Sequence, residues 1–84
     1  MADMQTTVHF YSYFIDLTGC AQTRETLAAG STIGDLLKVL AARFPKLGAL
    51  QNSMLVAVGV DYQGRGYVLK EGDEVSLFPP VQGG

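Results

Sequence analysis

One cysteine, one histidine and no tryptophan stand among the 84 residues, and each scarcity closes a class of function. A single thiol, Cys20, rules out an internal disulfide and a multi-thiolate metal site. A lone imidazole, His9, cannot seed a cluster of metal ligands, so no resident metal is expected. Charge is sparse too, at 17% of residues, with six basic side chains against eight acidic ones and a net charge of −2. The cations Arg24, Lys38, Arg43, Lys46, Arg65 and Lys70 are scattered. No run of them could neutralise several phosphates, which argues against nucleic acid as a partner. No apolar stretch reaches the length of a membrane span. Residues 1–7 lack the basic patch and continuous apolar run of a signal peptide, so a cytoplasmic location is expected.

What is present is apolar. Hydrophobic residues make up 48% of the chain, too many for a disordered polymer. The length suits one domain, whose core must be economical because so short a chain buries only about 60–65% of its unfolded surface. Residues 1–6 are polar and mixed, and a flexible leader is expected there. Residues 7–14 are rich in β-branched and aromatic side chains and read as a strand. Alternation puts Val8, Phe10, Ser12 and Phe14 on one face and Thr7, His9, Tyr11 and Tyr13 on the other. Aromatics on both faces suggest that the outer face is also covered, by a partner. A second strand is expected near residues 23–27, before a turn at Gly30, forming a hairpin with the first through a connection too long for a tight turn.

The clearest element follows. Ile33, Leu36, Leu37, Leu40, Ala41 and Phe44 recur at the spacing of one helical face. Thr32 suits the N-cap, Asp35 favours the positive helix end, and Pro45 forbids continuation. Residues 54–58 read as a buried strand, 61–66 as turn-rich, 67–69 as a short edge strand, and 74–78 as the last strand after a turn at Glu71-Gly72-Asp73. A hairpin, a crossing helix and further strands predict an α+β fold of the ubiquitin-like β-grasp type. Its mixed sheet has four to five strands, with one main helix packed on one face. The domain spans residues 7–78 and a tail spans 79–84.

That tail reads Phe78-Pro79-Pro80-Val81-Gln82-Gly83-Gly84. Two prolines stop sheet pairing and set an extended path. Six residues reach roughly 20 Å at full extension. Gly83 and Gly84 then remove every side chain beside the terminal carboxylate, so a narrow tunnel in a partner can admit the tail and approach its carbonyl. A bare Gly-Gly end is otherwise an ordinary loose terminus; its position directly after Pro-Pro-Val and the final strand favours a working tail.

Four stretches carry a resemblance that covers nearly the whole chain, from Thr7 to Gly84. They are Thr32-Ile33-Gly34-Asp35-Leu36-Leu37, Ala41-Ala42-Arg43-Phe44-Pro45, Leu69-Lys70-Glu71-Gly72-Asp73-Glu74-Val75 and the tail itself. The chain resembles the small-subunit family of molybdopterin synthase, the MoaD-type sulfur carriers. The first three stretches occur widely in β-grasp carriers, whereas Pro-Pro-Val-x-Gly-Gly is more specific to the molybdopterin branch. The resemblance implies that an ATP-using, ubiquitin-activating-like adenylyltransferase adenylates the Gly84 carboxylate and that a sulfur donor protein converts it to a thiocarboxylate. Pro79, Pro80, Val81, Gln82 and Gly83 would then insert into the molybdopterin synthase large subunit, within a heterotetramer. There sulfur passes to precursor Z (cyclic pyranopterin monophosphate) to build the dithiolene. The carrier would bind no cofactor itself and would not be an enzyme alone. Tyr13 and Ile15 stand where many relatives carry arginines, and Gly59 where asparagine is usual, which bears on the partner surface recognised.

Other residues have plainer readings. Tyr11 and Phe78 are candidates for a partner-docking patch beside the tail, or pack on one another across neighbouring strands. His9 shares that face as an ordinary strand side chain, and Cys20 reads as a half-buried filler. Gly30, Gly34 and the Gln63-Gly64-Arg65-Gly66 stretch lack the spacing of a nucleotide-binding loop and read as turns. Three other functions share these features: a thiocarboxylate carrier for thiazole, cysteine or tungsten-cofactor synthesis, a ubiquitin-like protein modifier, and an interaction domain with an inert tail.

Overall fold

Eight elements follow one another in the computed structural model, which describes residues 3–80. They are β1 (Asp3–Phe10), α1 (Phe14–Thr18), β2 (Gln22–Ala28), α2 (Ile33–Arg43), α3 (Pro45–Gly48), β3 (Leu55–Val58), β4 (Asp61–Tyr62) and β5 (Glu74–Phe78). The strands form one mixed sheet in the order β2-β1-β5-β3-β4. β1 and β2 are an antiparallel hairpin, β1 and β5 run parallel at the centre, and β3 pairs antiparallel with both β5 and β4.

Period-two alternation sends one set of side chains inward: Met4, Val8 and Phe10 from β1, Val56 from β3, Val75 and Leu77 from β5. α2 lays Ile33, Leu36, Leu37 and Leu40 on that face, and all four are buried. Full burial of such a side chain stabilises by about 1.5–3 kcal/mol, so this layer holds the sheet and helix together.

The ends of α2 follow from local chemistry. Thr32 Oγ1 accepts from the Asp35 amide at 3.2 Å, and Asp35 Oδ2 accepts from the Thr32 amide at 3.0 Å. Each side chain thereby satisfies a backbone donor that the helix leaves unpaired. The helix stops at Arg43, and Pro45 then opens α3 at a position where its missing N–H costs nothing.

Five local expectations need correction. Residues 3–6 are not a leader: they are the first half of β1, with Met4 and Thr6 buried. β1 ends at Phe10, so Ser12, Tyr13 and Phe14 do not continue its alternation. Ser12 takes a positive φ of 57°, and the chain turns into α1, whose Phe14 is buried from the helix rather than from a strand. α3 replaces part of an expected loop. The edge strand is β4, inside the segment read as turns. Residues 67–69 form no named strand, although Val68 makes an isolated bridge to Thr32.

Candidate functional site: the tail exit and its aromatic platform

Because β1 and β5 run parallel, their C-terminal ends lie side by side. The Tyr11 amide reaches the Leu77 carbonyl at 3.3 Å. Phe78 closes β5 on the outer face of the sheet, away from α2, since Val75 and Leu77 take the inner one. Pro79 and Pro80 follow, half-buried. Neither has an N–H to extend the ladder, so pairing ends there. Val81, Gln82, Gly83 and Gly84, which carry the expected tail chemistry, lie outside the described residues.

Tyr11 and Phe78 meet at this exit. Their rings stack with centroids 4.8 Å apart and planes 13° apart. Tyr62 approaches Phe78 from the other side, edge-on, at 6.3 Å and 65°. Leu55 is the Cα partner of Phe78 on β3. The cluster stays open to water: Tyr11 is 43% and Tyr62 69% exposed. Packing on one another and presenting a surface therefore coexist in these residues.

Tyr62 and Leu55 join this cluster, and sequence reasoning missed both. A two-residue strand carries no periodicity, and the only available signal was a bulky aromatic inside a polar turn segment. α1 sits at the same end of the sheet and adds exposed Tyr13 and Ile15. Gly59 holds φ +62° with open space where a Cβ would sit, a left-handed geometry that asparagine also adopts readily. The departure at Gly59 therefore preserves the backbone.

Among the described residues no group of three histidine, cysteine or acidic side chains could hold a metal ion. His9 Nε2 instead bonds Glu74 Oε1 at 2.8 Å, at the far end of β5 from the tail. Cys20 is a free, half-buried thiol packed against the core, with Thr18 Oγ1 at 3.8 Å. The α2 N-terminus offers no phosphate site: Ile33 N–H donates to Tyr67 O, Gly34 N–H to Arg65 O and Asp35 N–H to Thr32 Oγ1. Arg65 turns inward as well, donating to the carbonyls of Gln51 at 2.7 Å and Met54 at 3.0 Å. The residues 63–66 thus fasten loops together. Glu25 is buried on the core side of β2, where Arg43 from the end of α2 pairs with it.

The Thr32 amide, which donates to Asp35 Oδ2, holds that carboxyl below the ordinary carboxylate value, and the neighbouring Thr32 hydroxyl acts in the same direction.

A mixed sheet gripping one long helix, with a tail released from the central strand, is the architecture of ubiquitin-like proteins. The chain belongs to the ThiS family, whose match spans residues 8–84. It is 30% identical to a molybdopterin synthase sulfur carrier subunit from Chlamydomonas reinhardtii, over 96% of this chain and 100% of that one. It is 28% identical to small archaeal modifier protein 3 from Haloferax volcanii, again over 96% and 100%. Among solved structures, SAMP1 from Haloferax volcanii superposes with a TM-score of 0.82 at 26% identity, covering 95% of this chain and 99% of that one. The chain is thus a small ubiquitin-like protein of the sulfur-carrier type.

Proposed function

We propose that this chain is the sulfur-carrier small subunit of a molybdopterin synthase, with the Gly84 carboxylate as its working group. The observation that carries the reading is a Pro-Pro-Val-x-Gly-Gly sequence leaving the central strand beside an exposed aromatic platform. A carboxylate is a poor electrophile. An adenylyltransferase uses ATP to join it to AMP, releasing pyrophosphate, and a sulfur nucleophile then displaces AMP to leave a thiocarboxylate on Gly84. In the large subunit that sulfur attacks precursor Z, water then cleaves the bond between the Gly84 carbonyl and the sulfur to return the carboxylate, and two carriers supply the two sulfurs of the dithiolene.

The chain's own part is presentation. The platform of Tyr11, Leu55, Tyr62 and Phe78 docks on the partner, and Pro79 and Pro80 aim residues 81–84 into its active site. Positioning and charge stabilisation come from the partner's pocket. Intact-mass measurement after incubation with the cognate activating enzyme, ATP and a sulfur source tests this. One oxygen replaced by sulfur at Gly84 is expected, and an unchanged mass with a demonstrably active enzyme contradicts it.

The likeness to small archaeal modifier protein 3 favours a second reading, in which the activated Gly84 forms an amide with lysines of other proteins. Gly-Gly remnants on lysines after digestion of host proteins would support it. Their absence from cells that carry the thiocarboxylated chain would leave the first reading alone.

A further inference from the structure

The sheet ends on one side at β2, Gln22–Ala28, and among the described residues no strand pairs with its outer edge. The direction of each backbone group on that edge follows from the ladder. Phe10 N–H donates to Ala21 O at 2.8 Å, and the next pair along is His9 with Gln22. Antiparallel pairs alternate between bonded and non-bonded. Thr23, Glu25 and Leu27 therefore bond inward to β1, while Gln22, Arg24, Thr26 and Ala28 turn N–H and C=O outward. The Ala28 carbonyl is already taken by Ser31, whose amide and hydroxyl lie 3.1 and 2.7 Å away. The remaining outward groups are a template for another strand.

We propose that this edge is the seam of a homodimer, in which two copies pair β2 with β2, antiparallel, about a two-fold axis at Thr26. Charge selects that register. An axis at Glu25 would set two carboxylates opposite one another, and an axis at Arg24 two guanidiniums, and like charges directly across a strand pair are destabilising. An axis at Thr26 brings two hydroxyls together and places Arg24 opposite Ala28 of the second copy. Asp3 is the β1 partner of Ala28. The outer face of the joined sheet then carries Arg24, the second copy's Ala28 and the second copy's Asp3 in one row. Two strand spacings, roughly 9–10 Å, separate the ends of that row. The small alanine between them leaves the long arginine free to reach the carboxylate, and symmetry repeats the contact.

A lone cation on an edge strand ordinarily keeps edges apart; here the second copy carries its counter-charge in register. On the other face of the sheet, the Arg43–Glu25 pair fixes one side of α2 next to β2. Val39, one helical turn before Arg43 on that side, is 37% exposed and offers apolar cover beside the seam. Four hydrogen bonds cross it: each Thr26 N–H to the other Thr26 O, and each Ala28 N–H to the other Arg24 O. So small a contact makes a weak dimer. The seam lies at the opposite edge of the sheet from β4, so Tyr62 and Phe78 stay free and the inference stands apart from the proposed function.

Sedimentation of the full chain over a concentration series tests the seam. Association toward twice the monomer mass is expected by about 1 mM, the weak end of specific binding. Arg24→Asp and Asp3→Arg should each weaken it about tenfold, and the double exchange should restore it, the signature of a direct pair. Thr26→Pro removes only an outward N–H, spares the β1 ladder, and should abolish association with an unchanged circular dichroism spectrum. A chain that stays monomeric at that concentration overturns the proposal. So does a dimer indifferent to Thr26→Pro, or a double exchange that fails to restore what the single ones removed.

Discussion

The ring of Tyr11 lies flat on the ring of Phe78, 4.8 Å between centroids and 13° between planes, at the point where the chain leaves the sheet. One residue ends β5 and the other follows β1, so the stack joins the two parallel central strands on their outer face. Tyr62 closes on Phe78 from the β4 side. Three rings from three parts of the sequence thus frame the start of the tail.

Tyr62 gives the cleanest test of docking. It is the most exposed ring of the three and lies on the edge strand, so Tyr62→Ala should leave the fold unchanged. Aromatic anchors at an interface contribute about 2 kcal/mol or more, and calorimetric titration against the large subunit should show a loss of about thirtyfold or greater. An unchanged affinity would remove Tyr62 from the interface.

Phe78→Ala should act twice, because Phe78 both faces outward and is stacked. Loss of the aromatic pair costs about 0.5–1.5 kcal/mol beyond area burial. A fall in urea midpoint together with weaker partner binding is expected, whereas Tyr62→Ala, which loses only one edge-on contact of a mostly exposed ring, should lower the midpoint less.

Glu25 tests a different link, between sheet and helix. Its side chain is only 8% exposed, and Arg43 is its ion-pair partner, itself about half exposed. Arg43→Ala leaves a buried carboxylate uncompensated. A cost of about 1–3 kcal/mol in urea unfolding is expected, below that of a fully buried pair because water screens the arginine. Little change would mean that water or a neighbour already satisfies Glu25.

The α2 cap makes a pH-dependent prediction. Asp35 is held below its ordinary value of 3.8 by its bonds to Thr32. A carboxyl whose folded value is depressed adds stability above its unfolded value and loses it as pH falls through the folded one. The wild-type protein should therefore lose stability more steeply below about pH 4 than Asp35→Asn, which cannot titrate. Thr32→Ala should cost about 1 kcal/mol at neutral pH. Parallel pH profiles for wild type and Asp35→Asn would contradict the capping role.

Much of this was legible in the sequence, for physical reasons that can be named. α2 carries enough turns for its apolar stripe to repeat, and Thr32 and Pro45 mark its ends. β5 shows alternation and is closed by two prolines. α1 was hidden because five residues hold one buried side chain, Phe14, which fits a strand alternation equally well. The start of β1 was hidden because one of its inward residues is the polar Thr6, so residues 3–6 show no clear alternation. Its buried Oγ1 finds no hydrogen-bond partner among the described residues. β4 is two residues long, and only tertiary pairing with β3 makes it a strand. Tyr62 was missed for that reason, although Tyr11 and Phe78 were named.

The most direct measurement is single-turnover dithiolene formation with the large subunit, comparing the thiocarboxylated chain with a variant that carries one alanine after Gly84 and has been through the same activation. The chain should convert precursor Z stoichiometrically, two carriers per product, and the extended variant should give no product. Equal conversion by both would contradict a working group confined to the Gly84 carboxylate.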